Sequence, residues 1–484
     1  MTTTSKLLAV IALTAVSLFA YVSLFNSVSA YDDEGYNVAL IRLVSEGVPL
    51  YTGQFAYHGP LPYLVKAGIL NALKIPVTHE SVRLWVLFVW LLSALIGAAA
   101  IRNLTGNSLF AACSLVVLGV QLFPLRFNPG HPEDFVVLLL LASVFIASVE
   151  APWFTENLRI AAQGLIGAAL IGTKINVGIL FMLGLLMWML SSISRRGAWR
   201  VSAAVFFTGF VATPAVLMHG ALRPEWELLL VSTVIMFLTA GVAFLRPLPP
   251  RYSWAQLMIC IGSTAIGIVA ILAATILHGS RPWDVLEGTI LTAAKHPHVF
   301  LRPMSFGIFA LPVLAAFTWI SIRELIRIIA GPEETESRAP QSVLKVALPL
   351  CALLFAAFFD ARYYLPFIGP VAWLVVFPES RVVSARMRCA RLFLALAAVS
   401  QVLQIFPIVG TQTAWSALLL CVCALVLLHD GVVELSAAPR RMSKFASLAA
   451  VGAGGLAVYS LVFFTLGLWT TYRRGPVSVS QTRT

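Results

Sequence analysis

One apolar run follows another along this chain, and that succession constrains the fold more than any single residue. The first run is 7–28. Others lie near 82–101, 107–124, 135–149, 158–173, 175–192, 201–218, 228–245, 254–277, 304–322, 343–359, 365–378, 391–408, 413–428 and 446–470. A membrane-crossing helix takes about 20 apolar residues, because the hydrocarbon core must meet a backbone whose polar groups bond internally. Of 484 residues, 59% are hydrophobic and only 11% charged, against roughly 25% charged in soluble domains. So few charges cannot cover a soluble surface of this size. The expected fold is an all-α polytopic membrane protein, with about 13–15 transmembrane helices at the usual span length and further helices lying along the outer surface.

The run at 7–28 ends in Val28-Ser29-Ala30, which has the look of a signal-peptidase site, but it is longer than a signal core and many spans follow. It reads as an uncleaved first helix, with residue 31 onward outside. Alternating from an inside Lys6 puts the basic clusters Arg195-Arg196, Arg440-Arg441 and Arg381 to Arg391 inside, together with Arg159 and Lys345, as the positive-inside rule requires. The net charge of +12 is thereby assigned to orientation rather than to nucleic acid. Two long loops, 29–81 and 278–303, fall on the outer face, and loops of that length in a compact protein commonly carry function.

The candidate chemistry lies there. Tyr31-Asp32-Asp33-Glu34-Gly35-Tyr36 sets three carboxylates side by side. Mutual repulsion raises at least one pKa, which suits a general base, while either Asp32 or Asp33 can equally cap a helix beginning near Glu34. Segments 36–46 and 61–74 have helical apolar spacing, are too short to span, and are expected to roof a cavity, with His58 in the Gly/Pro-rich turn between them. Arg126-Phe127-Asn128-Pro129-Gly130-His131-Pro132-Glu133-Asp134 places two acids before an apolar run, where they cap a helix or line a site. Thr173-Lys174 breaks the stretch 160–190 into two short helices, pointing Lys174 outward to meet a phosphate or to snorkel. An amphipathic helix is expected over 282–295, followed by Lys295, His296, His298 and Arg302. Asp360-Ala361-Arg362-Tyr363 forms another outer turn, and an arginine there can grip a phosphate through two N–H groups or anchor at the interface.

Six cysteines, none in a CxxC pair, sit in or beside apolar runs and read as small core residues. No Walker loop, strand-borne GxGxxG or GxSxG occurs, which argues against ATP-driven transport and nucleotide-dependent chemistry.

The order of these motifs resembles that of GT-C membrane glycosyltransferases, nearest to the protein O-mannosyltransferase-like and aminoarabinose- or galacturonic-acid-transferase-like groups. Asp-Asp-Glu-Gly-Tyr, Gly-Val-Pro-Leu-Tyr and His-Gly-Pro-Leu-Pro-Tyr carry it, followed by His131-Pro132-Glu133-Asp134, Thr173-Lys174 and Arg362-Tyr363-Tyr364-Leu365-Pro366. It covers about residues 7–370; 1–380 is thus the expected catalytic region and 381–484 a set of C-terminal helices of unknown role. The resemblance implies a polyprenyl-phosphate sugar donor, a glycan, lipid or protein acceptor on the outer face, and transfer usually with inversion. It maps the family's acidic first-loop residue onto Asp32 or Asp33, with Glu34 beside them. Lys174, Lys295, Arg302 and Arg362 are then candidates for the donor phosphate, and His58, His131, Glu133, Asp134 and Tyr363 for the cavity wall. Some relatives hold a divalent metal; His58, His131, His296 and His298 are available nitrogens but lack diagnostic spacing, so no cofactor is assigned. The rival classes are a transporter or lipid flippase, which calls for midplane charges or internal repeats, and a non-catalytic scaffold. The expected location is a bacterial inner membrane, on the chain's compactness and lack of a luminal retention signal.

Overall fold

A computed structural model describes residues 3–26, 33–53, 56–193, 199–219, 224–245, 251–292, 339–358, 361–377, 384–406 and 412–437, with a few single positions beyond them. Among the described residues the secondary structure is helical, apart from one isolated bridge between Ile193 and Tyr252. In chain order the helices are α1 (Thr3–Phe25), α2 (Asp33–Ser45), α3 (Leu61–Ala72), α4 (His79–Thr105), α5 (Ser108–Gln121), α6 (Glu133–Ser148), α7 (Glu156–Ile171), α8 (Ile175–Ser191), α9 (Trp199–Met218), α10 (Pro224–Leu245), α11 (Trp254–Leu277) and α12 (Pro282–Leu286). They continue with α13 (Ala339–Phe358), α14 (Tyr364–Ile368), α15 (Ala385–Gln401), α16 (Gln412–Ser416) and α17 (Leu418–Ser436).

Among the described residues, six helical stretches are long and apolar enough to cross a membrane, at Thr3–Phe25, His79–Thr105, Ser108–Arg126, Trp254–Leu277, Ala385–Ile405 and Gln412–Ser436; shorter apolar helices join them, Ile175–Ser191 and Gln341–Ala357 included. The protein is an integral membrane protein. Helix ends follow sequence signals. Thr78 and Ser81 cap α4 reciprocally, and Gly106 closes it in the left-handed region at φ 71°, a conformation glycine adopts without a Cβ clash. Asn107 caps α5 through the amides of Leu109 and Phe110, so a two-residue connection suffices for the reversal.

α4 packs between α5 and α6, α7 along α11, α8 against α15, and α13 against α17. Burial sorts them: the Ala385–Ile405 window is 94% buried, the Trp254–Leu277 window only 22%. The C-terminal helices α15 and α17 therefore lie inside the bundle, while α11 presents an outer surface. Of the apolar run expected over 365–378, residues 365–376 are buried but divided between α14 and a 3-10 stretch, Gly369–Val376; Pro366 and Pro370 remove two amide donors from what would be a continuous helix.

Three basic residues assigned to inner loops are instead buried in helices at the end of the bundle opposite the first loop. Arg391 Nη1 meets Asp430 Oδ2 at 2.5 Å and its Nη2 caps α4 through Leu104 O at 2.6 Å. Lys345 Nζ pairs with Glu434 at 2.6 Å and donates to Phe377 O. Arg159 donates to Ile146 O and Val149 O at the end of α6. Spacing along a hydropathy plot does not reveal such pairs, because each partner comes from a different helix.

Candidate active site

The first loop folds as the two short helices the apolar spacing predicts, α2 and α3, packed through Val38, Ile41, Val44, Tyr63, Ala67 and Leu70. Tyr63 OH donates to Asn37 Oδ1 at 3.0 Å, and Asn37 Nδ2 to Asp33 O at 2.6 Å. Between the helices, Tyr57-His58-Gly59-Pro60 is latched to the α7–α8 turn: Gly59 N donates to Thr173 O and Leu61 N to Gly172 O, both at 3.0 Å. A Cβ at Gly59 would run into the Gly172 carbonyl, so glycine is required here for close backbone approach. Tyr51 OH donates to His58 O at 2.5 Å.

That latch brings distant residues together. Lys174 Nζ lies 3.0 Å from Glu133 Oε1. Glu133 Oε2 is 3.5 Å from His131 Nδ1. His131 Nε2 and His58 Nε2 share one hydrogen bond at 3.1 Å, their rings crossing at 80°. The Tyr57 ring centroid is 4.1 Å from that of His58, and Tyr36 stacks on Tyr57 at 5.8 Å. Burial, then the charges of Asp33 and Glu133, push the Tyr57 phenol up to about 12, so both carboxylates act on the same ring. Burial, then Lys174 and Lys66, hold His131 well below the usual histidine range. A neutral imidazole can serve as either partner of the hydrogen bond between the two facing ring nitrogens, one of which donates while the other accepts.

Two further ion pairs brace the cluster. Lys66 Nζ meets Asp134 Oδ2 at 2.9 Å and donates to Gly130 O at 2.6 Å, with both side chains 1% exposed. Burial is the larger influence on Lys66 and lowers its pKa, against the pull of Asp134. Glu34 is gripped on both oxygens by Arg83, at 2.7 and 2.8 Å, with His79 Nδ1 at 3.0 Å; Arg83 also donates to Leu24 O. Glu34 thus ties α2 to α4 and to the end of α1. Lys66 and Arg83 were not among the residues expected at the site. The available signal for Lys66 is its place on the buried stripe Tyr63, Ala67, Leu70 of α3: a lysine at a core position of an amphipathic helix calls for an anion.

The two long loops share this end of the bundle. Thr52 Oγ1 donates to Asp284 Oδ2 at 2.7 Å, and His278 Nε2 lies 2.9 Å from Val44 O. The expected helix 282–295 is described to residue 292, as α12 and a wider π turn, Glu287–Leu291, with its proline in the first turn as predicted. Tyr363 packs its ring on Phe355 at 5.4 Å, with Arg362 beside it on the 3-10 turn Ala361–Tyr363. Asp32, Lys295, His296, His298 and Arg302 lie outside the described residues. Among the described residues no three His, Cys, Asp or Glu side chains are placed to hold a metal ion; His58 and His131 turn their Nε2 atoms to each other and Glu133 meets a lysine.

No family model matches the chain, and no curated protein does. Among solved structures the chain is similar to the archaeal oligosaccharyltransferase AglB from Archaeoglobus fulgidus in complex with an inhibitory peptide and a dolichol-phosphate (TM-score 0.44, 13% identity, 95% of this chain and 56% of that one). It is similar also to the apo form of the Archaeoglobus fulgidus oligosaccharyltransferase (TM-score 0.41, 13% identity, 94% and 56%) and to its complex with Zn and sulfate (TM-score 0.41, 13% identity, 94% and 53%). The chain spans little more than half the length of these neighbours. TM-scores below 0.5 at 13% identity leave the chemistry to be settled by this chain's own residues.

Proposed function

We propose that the protein transfers a sugar from a polyprenyl-phosphate donor to a hydroxyl- or amine-bearing acceptor at the outer face of a membrane. The observation that carries this reading is the convergence of Asp33, Tyr57, His58, His131, Glu133 and Lys174 at the end of a membrane-spanning bundle, where a lipid-borne phosphosugar would meet a water-borne acceptor. A structural scaffold needs no such gathering of acids, imidazoles and ammonium groups at one height.

Asp33 opens α2 with its carboxylate in electrostatic reach of Tyr36 and Tyr57. In this reading it takes the proton from the acceptor; Asp32 beside it is the other candidate. The acceptor heteroatom then bonds to the anomeric carbon as that carbon's bond to the phosphate oxygen breaks, and the electron pair leaves with the phosphate. Lys174 stabilises that charge, turning N–H groups not used by Glu133 toward the leaving oxygen. Arg362, Lys295 and Arg302 are further candidates for the phosphate. His58 and His131 form the wall, Asp134 braces it from behind through Lys66, and Glu34 holds α2 in place through Arg83. Fastening of the second loop to the first excludes water, which would otherwise hydrolyse the donor.

The test is Asp33→Asn and Asp32→Asn, singly and together, in a membrane transfer assay with a polyprenyl-phosphate sugar. Loss of a positioned base costs about 10²–10⁴-fold in rate, and one single variant should lose far more than the other. Near-normal transfer by the double variant would remove the mechanism and leave the transporter or flippase reading in front.

A further inference from the structure

We propose that Arg126 is the headgroup end of a second site, one that binds the phosphate of a membrane lipid. The residue closes the 3-10 turn Phe123–Arg126 that follows α5. Its guanidinium carbon lies 3.8 Å from the Phe123 ring centroid and 4.6 Å from that of Phe127. Those two rings stand at 79° to each other and form an aromatic corner. Cation–π attraction holds the group there, but a ring face supplies no hydrogen-bond acceptor. Nε is buried with no partner, and none of the carboxylates in the ion pairs of the described residues is bound to Arg126. Four other cations at this end have partners: Lys66 has Asp134, Arg83 has Glu34, Lys174 has Glu133, and Arg42 has Val77 O.

The enclosed Nε stays unpaired, but the two terminal nitrogens are not enclosed, and an anion meeting them offsets part of the cost of the half-buried charge. The surroundings select the kind of anion. Phe127 is 38% exposed; Phe123 stacks at 5.6 Å on the buried Phe19 of α1, and on the same helix Leu18 and Tyr21 are 57% and 50% exposed. An apolar outer surface therefore continues from the guanidinium down the membrane-crossing helices. A free hydrophilic phosphate would lose hydration against the two rings. A lipid phosphate instead places its head on the planar N–H fork, which matches phosphate oxygens two at a time, and its tail along that surface. Two sources share this chemistry: an isoprenoid phosphate and the bulk anionic phospholipid.

The full-length protein in a neutral detergent, carrying Asp33→Asn so that no turnover intervenes, is titrated with undecaprenyl phosphate and separately with phosphatidylglycerol, read by native mass spectrometry. Arg126→Gln should weaken binding about tenfold to a hundredfold, the range expected for lost charge-assisted hydrogen bonds. Arg126→Lys should recover part of it, since charge remains but the fork does not. A loss confined to undecaprenyl phosphate identifies an isoprenoid phosphate; a loss for both lipids identifies a general headgroup site. Unchanged affinity for both lipids in Arg126→Gln overturns the proposal. Should that variant fail to fold, Arg126→Lys and Phe127→Leu carry the same comparison, and wild-type binding in both overturns it equally. Because binding is read without transfer, failure here is separable from failure of the glycosyltransferase reading.

Discussion

Replacing Lys66 by alanine removes the counter-charge of a carboxylate that has no access to water. Lys66 and Asp134 are each 1% exposed, 2.9 Å apart, and the ammonium also serves Gly130 O. At an effective dielectric of about 20 the attraction is on the order of 6 kcal/mol. Desolvation of the two ions offsets most of it, so the intact pair contributes little net stability. Breaking it is another matter: Asp134 is left charged and buried, or protonated at a cost, and the expected loss is about 3–5 kcal/mol. Exchanging both residues, as Lys66→Met with Asp134→Leu, removes both desolvation costs and should restore most of that loss. The Gly130 bond disappears in both variants, so the loop carrying His131 is released in each. Thermal unfolding in detergent measures the first effect, and sugar transfer in membranes the second. The single variant should melt well below wild type and the double variant near it, with transfer impaired in both. A Lys66→Ala protein as stable as wild type would refute the buried-ion reasoning.

Three further outcomes are expected. Gly59→Ala should push the Tyr57-His58-Gly59-Pro60 segment off the Gly172 carbonyl, cutting transfer at least tenfold while the spans remain folded by circular dichroism; a fully active variant would show the latch to be dispensable. His131 is held below its ordinary value of 6.5 in the folded state, so below about pH 6.5 the unfolded chain binds a proton that the native site refuses, and stability should fall as pH drops; His131→Asn should flatten that slope in melts from pH 7.5 to 5, and an unchanged slope would assign the acid sensitivity elsewhere. Single cysteines at Gln54 and Thr289, in a cysteine-free background, should react with an impermeant thiol reagent on intact cells, and protection of both until lysis would invert the orientation.

The membrane class, α2 and α3, the break at Lys174 and the first-turn proline of α12 all follow from period, length and breaker residues, which are properties of contiguous sequence. So does the gathering of the acidic first-loop motif, His131-Pro132-Glu133-Asp134 and Lys174 toward one end, since alternation of spans alone puts those turns together. What tertiary structure decided is who meets whom. Lys174 is paired with Glu133, Glu34 is clasped by Arg83, and Lys345, Arg391 and Arg159, which alternation alone assigns to loops, are buried ligands of carboxylates and helix-end carbonyls. A charge in sequence carries only its sign, and its partner is whichever opposite charge or unfilled carbonyl the helix packing brings within about 3 Å. Arg126 is the reverse case: packing gave it two aromatic rings and no anion. Hydropathy selects the elements because burial of apolar surface is additive along the chain. Ion pairs depend on distances between elements, and those exist only once the bundle has packed.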